Sequence, residues 1–466
     1  TFGGAAAADA TNGSNSSETA RQNYFTKLAY NYRTKYLAEF QLGYNGSTTF
    51  PRQNRFGFFP GILLGWRVSE EPWFKNDFIT NLKLRGSYGK LGNDRVNLFQ
   101  FYDNFSLNTT GFVAGQANAT IINYSKVANP AITWEVAKKT DFGIEATLLK
   151  RLSFEVDYFL EHRSNILGTR LNTLPQVSGI SGTLIPSENL YQTKNAGIEV
   201  QANYTQNIGL LRLSVGGNFT YAKNEIVFAD ESSIIPAYQF QKGKPISAMS
   251  DNYLMYEAIG IFRDSADLAS NPHYADQKIG DIKFKDVNGD GILDSRDRVR
   301  QTNTEIPQIQ YGFNLGAKWK NIELTVLFQG AAKVRNYMPE DAGDGGNYTK
   351  NWSDNRWSPS NPDGTFPRAD TRSDNSPSGG IRYRNTFWFF NSSYLRLKNV
   401  ELGYNLPSIW TRKVGLSATR IYVSGFNLLT FTKLKDYDPE GLEVDVASTA
   451  FFPQNKVYNI GINISF

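Results

Sequence analysis

Lys456-Val457-Tyr458-Asn459-Ile460-Gly461-Ile462-Asn463-Ile464-Ser465-Phe466 alternates without a break. Successive side chains on a strand point to opposite sides. Tyr458, Ile460, Ile462, Ile464 and Phe466 therefore share one face, and Asn459, Gly461, Asn463 and Ser465 the other. The first face is apolar, and the second is small and polar. A soluble sheet packs such an apolar face on a core and wets the other. A membrane β-barrel turns it to lipid and wets its lumen. Choosing between these environments decides the fold and most of the function.

The same period recurs along the chain. Ala38, Phe40, Leu42 and Tyr44 oppose Glu39, Gln41 and Gly43; Phe142, Ile144, Ala146 and Leu148 oppose Gly143, Glu145 and Thr147. Leu152, Phe154, Val156, Tyr158 and Leu160 oppose Ser153, Glu155 and Asp157, and Ile322, Leu324, Val326 and Phe328 oppose Glu323 and Thr325. Charged residues stand mid-segment on one face and almost never on the other. The segments run roughly 10 to 14 residues, whereas soluble strands run about 5 to 6 and tilted membrane strands about 9 to 11.

The connections sort by parity. Counted back from Phe466 with that residue at the periplasmic side, the links at 33–34, 69–77, 150–151, 207–210, 320 and 407–419 fall on that side. Those at 48–55, 92–136, 163–192, 224–308, 333–392 and 431–455 fall outside. Short turns below and long loops above are the habit of outer-membrane barrels. The reading is an all-β, transmembrane antiparallel β-barrel of about thirteen strands, with two more if 239–263 contributes a pair.

Composition agrees. Of 466 residues, 14% are aromatic, 40 are Gly and only 20% are charged, which suits β structure with many turns. No apolar run approaches the roughly 20 residues of a membrane helix. There is no Cys, so disulfides and thiolate chemistry are excluded. The net charge of +5 is scattered rather than clustered, which leaves no nucleic-acid footprint. Residues 1–19 read as an extracellular loop from the polar stretch Asp9 to Glu18, and Thr1 to Ala8 has no basic start or apolar core of a signal peptide. The chain reads as the C-terminal part of something longer.

Several stretches carry a resemblance. They are Asn81-Leu82-Lys83-Leu84-Arg85-Gly86-Ser87-Tyr88-Gly89, Gly280-Asp281-Ile282-Lys283-Phe284-Lys285-Asp286, Ser393-Tyr394-Leu395-Arg396-Leu397-Lys398-Asn399-Val400-Glu401-Leu402-Gly403-Tyr404, and Arg420-Ile421-Tyr422-Val423-Ser424-Gly425-Phe426-Asn427-Leu428 leading into Tyr437-Asp438-Pro439-Glu440. In this order, over residues 20–466, they resemble the SusC-like TonB-dependent outer-membrane transporters of Bacteroidetes. The resemblance implies a 22-stranded barrel with an N-terminal plug, a TonB-binding segment and a SusD-like surface lipoprotein as lid. The plug and early strands are expected outside this chain. It further implies a bacterial outer-membrane location and active import of a bulky nutrient, a glycan or an oligopeptide. The alternative is a structural or scaffolding barrel within a larger outer-membrane assembly.

One motif points to a metal. Asp286, Asn288, Asp290, Asp294 and Asp297 stand at positions 1, 3, 5, 9 and 12 of a loop, with Gly291 at 6 and the Ile292 carbonyl at 7. That is the oxygen spacing of an EF-hand-type Ca²⁺ loop; the shorter Asp297 replaces the usual Glu, as in dockerin-type loops. The expectation is a structural Ca²⁺ stiffening an outer loop at 286–297, against a metal-free Asx-rich turn.

Other residues carry lesser expectations. In the loop 333–392, Trp352 and Trp357 are candidates to contact substrate or lid, while Phe387 to Phe390 read as membrane-interface girdle. Glu39, Lys83, Arg85, Glu145, Glu155, Asp157, Glu199, Arg212, Lys318 and Glu323 read as a mutually paired lumen lining. His162 and His273, placed in separate loops with no nucleophile to serve, give no hydrolase triad, so no enzyme is expected. Tyr458, Ile460, Ile462, Ile464 and Phe466 resemble the signal read by the barrel-assembly machinery.

Overall fold

A computed structural model describes residues 17–113, 116–174, 177, 179–338, 349–369, 383–441 and 454–466. Most of the 1–19 segment lies outside these residues. Thirteen antiparallel strands form one sheet in strict chain order. They are β1 (Arg21–Tyr32), β2 (Tyr36–Ser47), β3 (Phe56–Arg67), β4 (Ile79–Asn93), β5 (Glu135–Leu148), β6 (Leu152–Thr169) and β7 (Ser187–Ile208). The series continues with β8 (Leu211–Phe228), β9 (Ile309–Trp319), β10 (Ile322–Ala332), β11 (Tyr394–Asn405), β12 (Ala418–Thr432) and β13 (Val457–Ser465). β1 and β13 are the edges of this sheet.

The expected parity holds. Four of the six lower links are tight turns closed by residues in the left-handed region that matches strand twist: Arg33 and Thr34, Leu149 and Lys150, Gly209, and Lys320. The link between β3 and β4 is anchored by Glu71, which accepts from the Tyr36 hydroxyl at 2.6 Å and the Trp66 indole at 3.1 Å, with Lys35 Nζ at 3.2 Å. These partners, Tyr36 first, hold its carboxyl below the usual range.

The apolar face is bare. Phe142, Tyr158, Val215, Leu324, Leu402 and Ile460 all lie open on it. A continuous band of this extent is far beyond what a soluble monomer exposes, and it is where a barrel meets lipid. Among the described residues no helix is long and apolar enough to cross a membrane; the crossing elements here are strands.

Two boundaries differ from the sequence reading. The 239–263 segment gives no barrel strand. Its short strands Leu254–Tyr256 and Ala258–Ile261 pair with Arg298–Arg300 and Ile282–Phe284 above the sheet. His162 lies inside β6 rather than in a loop, opposite Lys138 and Lys194, because β6 and β7 run on past the hydrophobic alternation. His273 does lie in a loop.

Candidate functional site

The polar face carries an ordered charge wall. Arg85 on β4 reaches Asp141 at 2.9 Å and Glu145 at 3.3 Å on β5, then Glu155 at 2.7 Å and Asp157 at 2.5 Å on β6. Lys83 pairs with Glu145 at 2.8 Å, and Glu39 with Lys27 at 2.8 Å. The cause is register. Lys83, Glu145 and Glu155 stand in one row, and Arg85, Asp157 and Glu199 in the next with Gly143 between Arg85 and Asp157, so two rows of the pleat bring together residues far apart in sequence. Arg212, Lys318 and Glu323 form a separate row across β8, β9 and β10. The expected paired lining is therefore present for Glu39, Lys83, Arg85, Glu145, Glu155 and Asp157. Each half-wet pair contributes no more than about 1 kcal/mol; the wall orders a polar surface more than it holds the sheet.

Nearer the outside, Arg163 joins Glu135 at 2.7 Å to Glu161 at 2.8 Å, and Lys139 meets Glu161 at 3.0 Å. Sequence reading missed this group because it took 163 onward as loop.

On the outer side of β8 to β11, the two longest links interlock into a roof. Trp388, Phe389, Tyr337, Tyr383, Trp352 and Phe284 share one buried cluster, with Phe366, Phe387 and Phe390 packed against it. Trp388 is 0% exposed. The girdle assignment of Phe387 to Phe390 is thus corrected: these rings pack on one another and not on lipid. Trp352, expected to face a partner, is 4% exposed, with helix Lys350–Asn355 turning it inward. Trp357 is half-buried over Gly280, whose φ of +91° and absent Cβ let the indole lie against the backbone.

The last loop is clamped to β11. Arg396, 2% exposed, donates from Nη2 to Asp438 at 2.7 Å and from Nη1 to Glu440 at 2.5 Å. The Tyr394 hydroxyl donates to Glu440 at 2.8 Å. A bulge between Leu397 and Asn399 adjusts β11 just below the clamp. These residues stand in the quoted motifs, yet a polar position on a barrel strand does not announce its partner 42 residues away.

The 286–297 loop is tightly wound. Asp286 accepts from the backbone of Gly289 at 2.7 Å and Gly291 at 2.8 Å; buried Asp297 accepts from Val287 at 2.9 Å and Asp294 at 2.8 Å. Arg296 pairs with Asp290 and Asp294, each at 2.8 Å, and holds the Asp294 carboxyl below its usual range. The oxygen donors are right in kind for Ca²⁺. In this arrangement, however, they face N–H groups and a guanidinium, and among the described residues no three acidic or imidazole groups converge as metal ligands do.

The family model described as "TonB dependent receptor-like, beta-barrel" matches residues 1–428. TonB-dependent receptor P3 of Formosa agariphila is 28% identical over 482 residues, covering 96% of this chain and 46% of that protein. TonB-dependent receptor SusC of Bacteroides thetaiotaomicron is 23% identical, covering 95% and 43%. The chain thus spans about half the length of the curated relatives it matches. Among solved structures, that of the RagAB peptide transporter superposes with a TM-score of 0.71 at 23% identity, over 96% of this chain and 47% of that one.

Proposed function

Since the chain belongs to the TonB dependent receptor-like β-barrel family, whose members are outer-membrane proteins, we propose that it walls the path of an active importer of a bulky nutrient, a glycan or an oligopeptide. The observation that carries this is the ordered charge wall on the polar face, beside outer links that pack into their own cluster. A path for polar cargo needs such a wetted lining. A SusD-like surface lipoprotein is the proposed lid over the roof, and the TonB complex the proposed source of force.

The test is growth of the source bacterium, with and without the protein, on single oligopeptide or glycan sources. Loss of growth on at least one source, reproduced by an uncoupler, is expected. Undiminished growth on every source with a leaky outer membrane would favour the scaffolding alternative. Pull-down of the intact protein is expected to bring a surface lipoprotein with it.

Two site proposals accompany this reading. The C-terminal alternation supports Tyr458, Ile460, Ile462, Ile464 and Phe466 as an assembly signal. Deletion of Phe466, which lies fully open at the end of β13, is expected to lower the amount of barrel in the membrane; normal levels would refute the role. The oxygen spacing at Asp286, Asn288, Asp290, Ile292, Asp294 and Asp297 supports a structural Ca²⁺, which would have to displace Arg296. Calorimetric titration of chelated protein with Ca²⁺ is expected to show uptake that Arg296→Ala strengthens. A flat titration in both proteins would end the proposal.

A further inference from the structure

At the outer end of the polar face, β5 to β8 and the turn Ile246–Met249 line an open-sided cavity of about 670 Å³. That lies within the roughly 300–1,000 Å³ of small-ligand sites. Three rows of the pleat build its floor: Glu161, Asn195 and Asn224; Arg163, Thr193 and Ile226; and Ile166 with Tyr191. Bulges open the wall on both sides. β6 shifts register between Arg163 and Ile166, with Asn165 at a φ of +58°, and β8 shifts between Ile226 and Phe228. Bulges of this kind re-aim side chains next to sites. Gly168 completes the shape, because a Cβ there would stand 1.7 Å from the Tyr191 ring. Asn224 fixes the roof by accepting from the Ile246 N–H at 2.7 Å.

The chemistry of the lining selects a ligand. Of the lining charges, Glu135 and Glu161 are met by Arg163 within the cavity, and Glu161 also by Lys139 from outside the lining, so both acids are already paired. What it offers is an aliphatic wall of Ile166, Leu167, Ile226, Ile246 and Met249, with carboxylate lone pairs and the Asn195 amide at the edge. A sugar ring stacks on a flat aromatic face, and the one ring here is laid against Gly168. Branched aliphatic groups instead pack against a branched aliphatic side chain, and carboxylates accept peptide N–H groups.

We propose that this cavity is an oligopeptide subsite that takes one aliphatic side chain of the cargo, with Glu135, Glu161 and Asn195 meeting the adjacent peptide groups. It rests on the import reading and narrows its substrate class.

The test is calorimetry on the intact protein purified from the outer membrane. The probes are the pentapeptides Ala-Ala-Leu-Ala-Ala and Ala-Ala-Asp-Ala-Ala, and maltohexaose. The Leu peptide is expected to bind at least about tenfold tighter than the Asp peptide, the usual discrimination of an apolar pocket. Ile246→Trp, on a half-open turn, fills the cavity and is expected to weaken the Leu peptide about tenfold with unchanged thermal unfolding. Met249→Trp fills it from the other side and should do the same. Equal binding of the two peptides, or unchanged Leu-peptide affinity in both variants, would overturn the subsite. Maltohexaose binding that both variants abolish would overturn the peptide class. Unaffected growth on every nutrient source would fail the import reading yet leave these affinities standing, so the two failures are distinct.

Discussion

Arg396→Met is expected to release the last outer loop from the barrel at a cost of about 3–5 kcal/mol, the usual penalty for breaking a buried ion pair from one side. The guanidinium lies between Asp438 and Glu440 at 2.7 and 2.5 Å, and Tyr394 adds a hydrogen bond to Glu440. Methionine fills the stem's space, leaves buried Asp438 without its cation and leaves Glu440 with Lys398 at 3.5 Å. Limited proteolysis should then cut the 433–456 link while β11 and β12 stay protected. The triple change Arg396→Met, Asp438→Asn, Glu440→Gln should recover much of the loss, because it removes the stranded charge along with its partner. Unchanged protease resistance in the single variant would show that the clamp holds nothing.

The same clamp predicts a pH dependence. Burial pushes the Asp438 carboxyl up, but N–H groups of Gln454 and Glu440 and the Arg396 guanidinium outweigh it and hold the group below its ordinary value. A carboxyl depressed in the folded state stabilises that state above its unfolded value of about 3.9. The contribution is therefore complete at neutral pH and is lost as pH falls below about 4. Protease resistance of the loop should fall in that window in the native protein and be insensitive to it in the triple variant.

Trp388→Ala is the second large change, expected to cost about 3–5 kcal/mol, as for other buried tryptophans. The indole is fully buried where two outer links meet, 4.9 Å from the Phe387 ring and 6.1 Å from that of Phe366. The loss should be local. Amide exchange should speed up in 253–256, 282–284 and 387–390, while β9 and β10 keep their protection, since the sheet's hydrogen bonds do not pass through the cluster. Trp388→Phe should lose less. Accelerated exchange throughout β9 and β10 would show that roof and barrel unfold as one.

The contrast between these residues and the wall shows what a single sequence makes legible. Alternation at Phe142 to Leu148 or Leu152 to Leu160 states strand, face and environment at once, because a period of two has one physical cause. Chain order follows from turn lengths, and the register of β5 on β6 from the tight turn at Leu149 and Lys150, so the alignment of Asp141 and Glu145 with Glu155 and Asp157 is legible, whereas Arg85 reaches them across the long 94–134 link, whose length sets no register. The roof was not. Phe387 to Phe390 have the same composition whether they meet lipid or one another, and strands three residues long, such as Leu254–Tyr256, carry no period to read. Trp352 misled for the same reason: a large ring in a polar stretch looks like a contact surface until a second loop is known to cover it. Bulges hide best. Asn165 breaks the alternation that would have carried β6 to its end, and with it the cavity beside Tyr191.

The tight lower turns have one more consequence. Leu149 and Lys150 close β5 onto β6 with no slack, whereas four of the links above, 94–134, 229–308, 333–393 and 433–456, are tens of residues long. One residue added between Leu149 and Lys150 would slide the two strands by a single step. That step turns every side chain of one strand over, putting Glu155 and Asp157 into hydrocarbon and Phe154 and Val156 into water. The same residue added to the 229–308 link would merely lengthen it. The chain is thus read in frame from its periplasmic rim, and its outer surface is free to be rewritten by insertion and deletion while the lining beneath keeps its alignment.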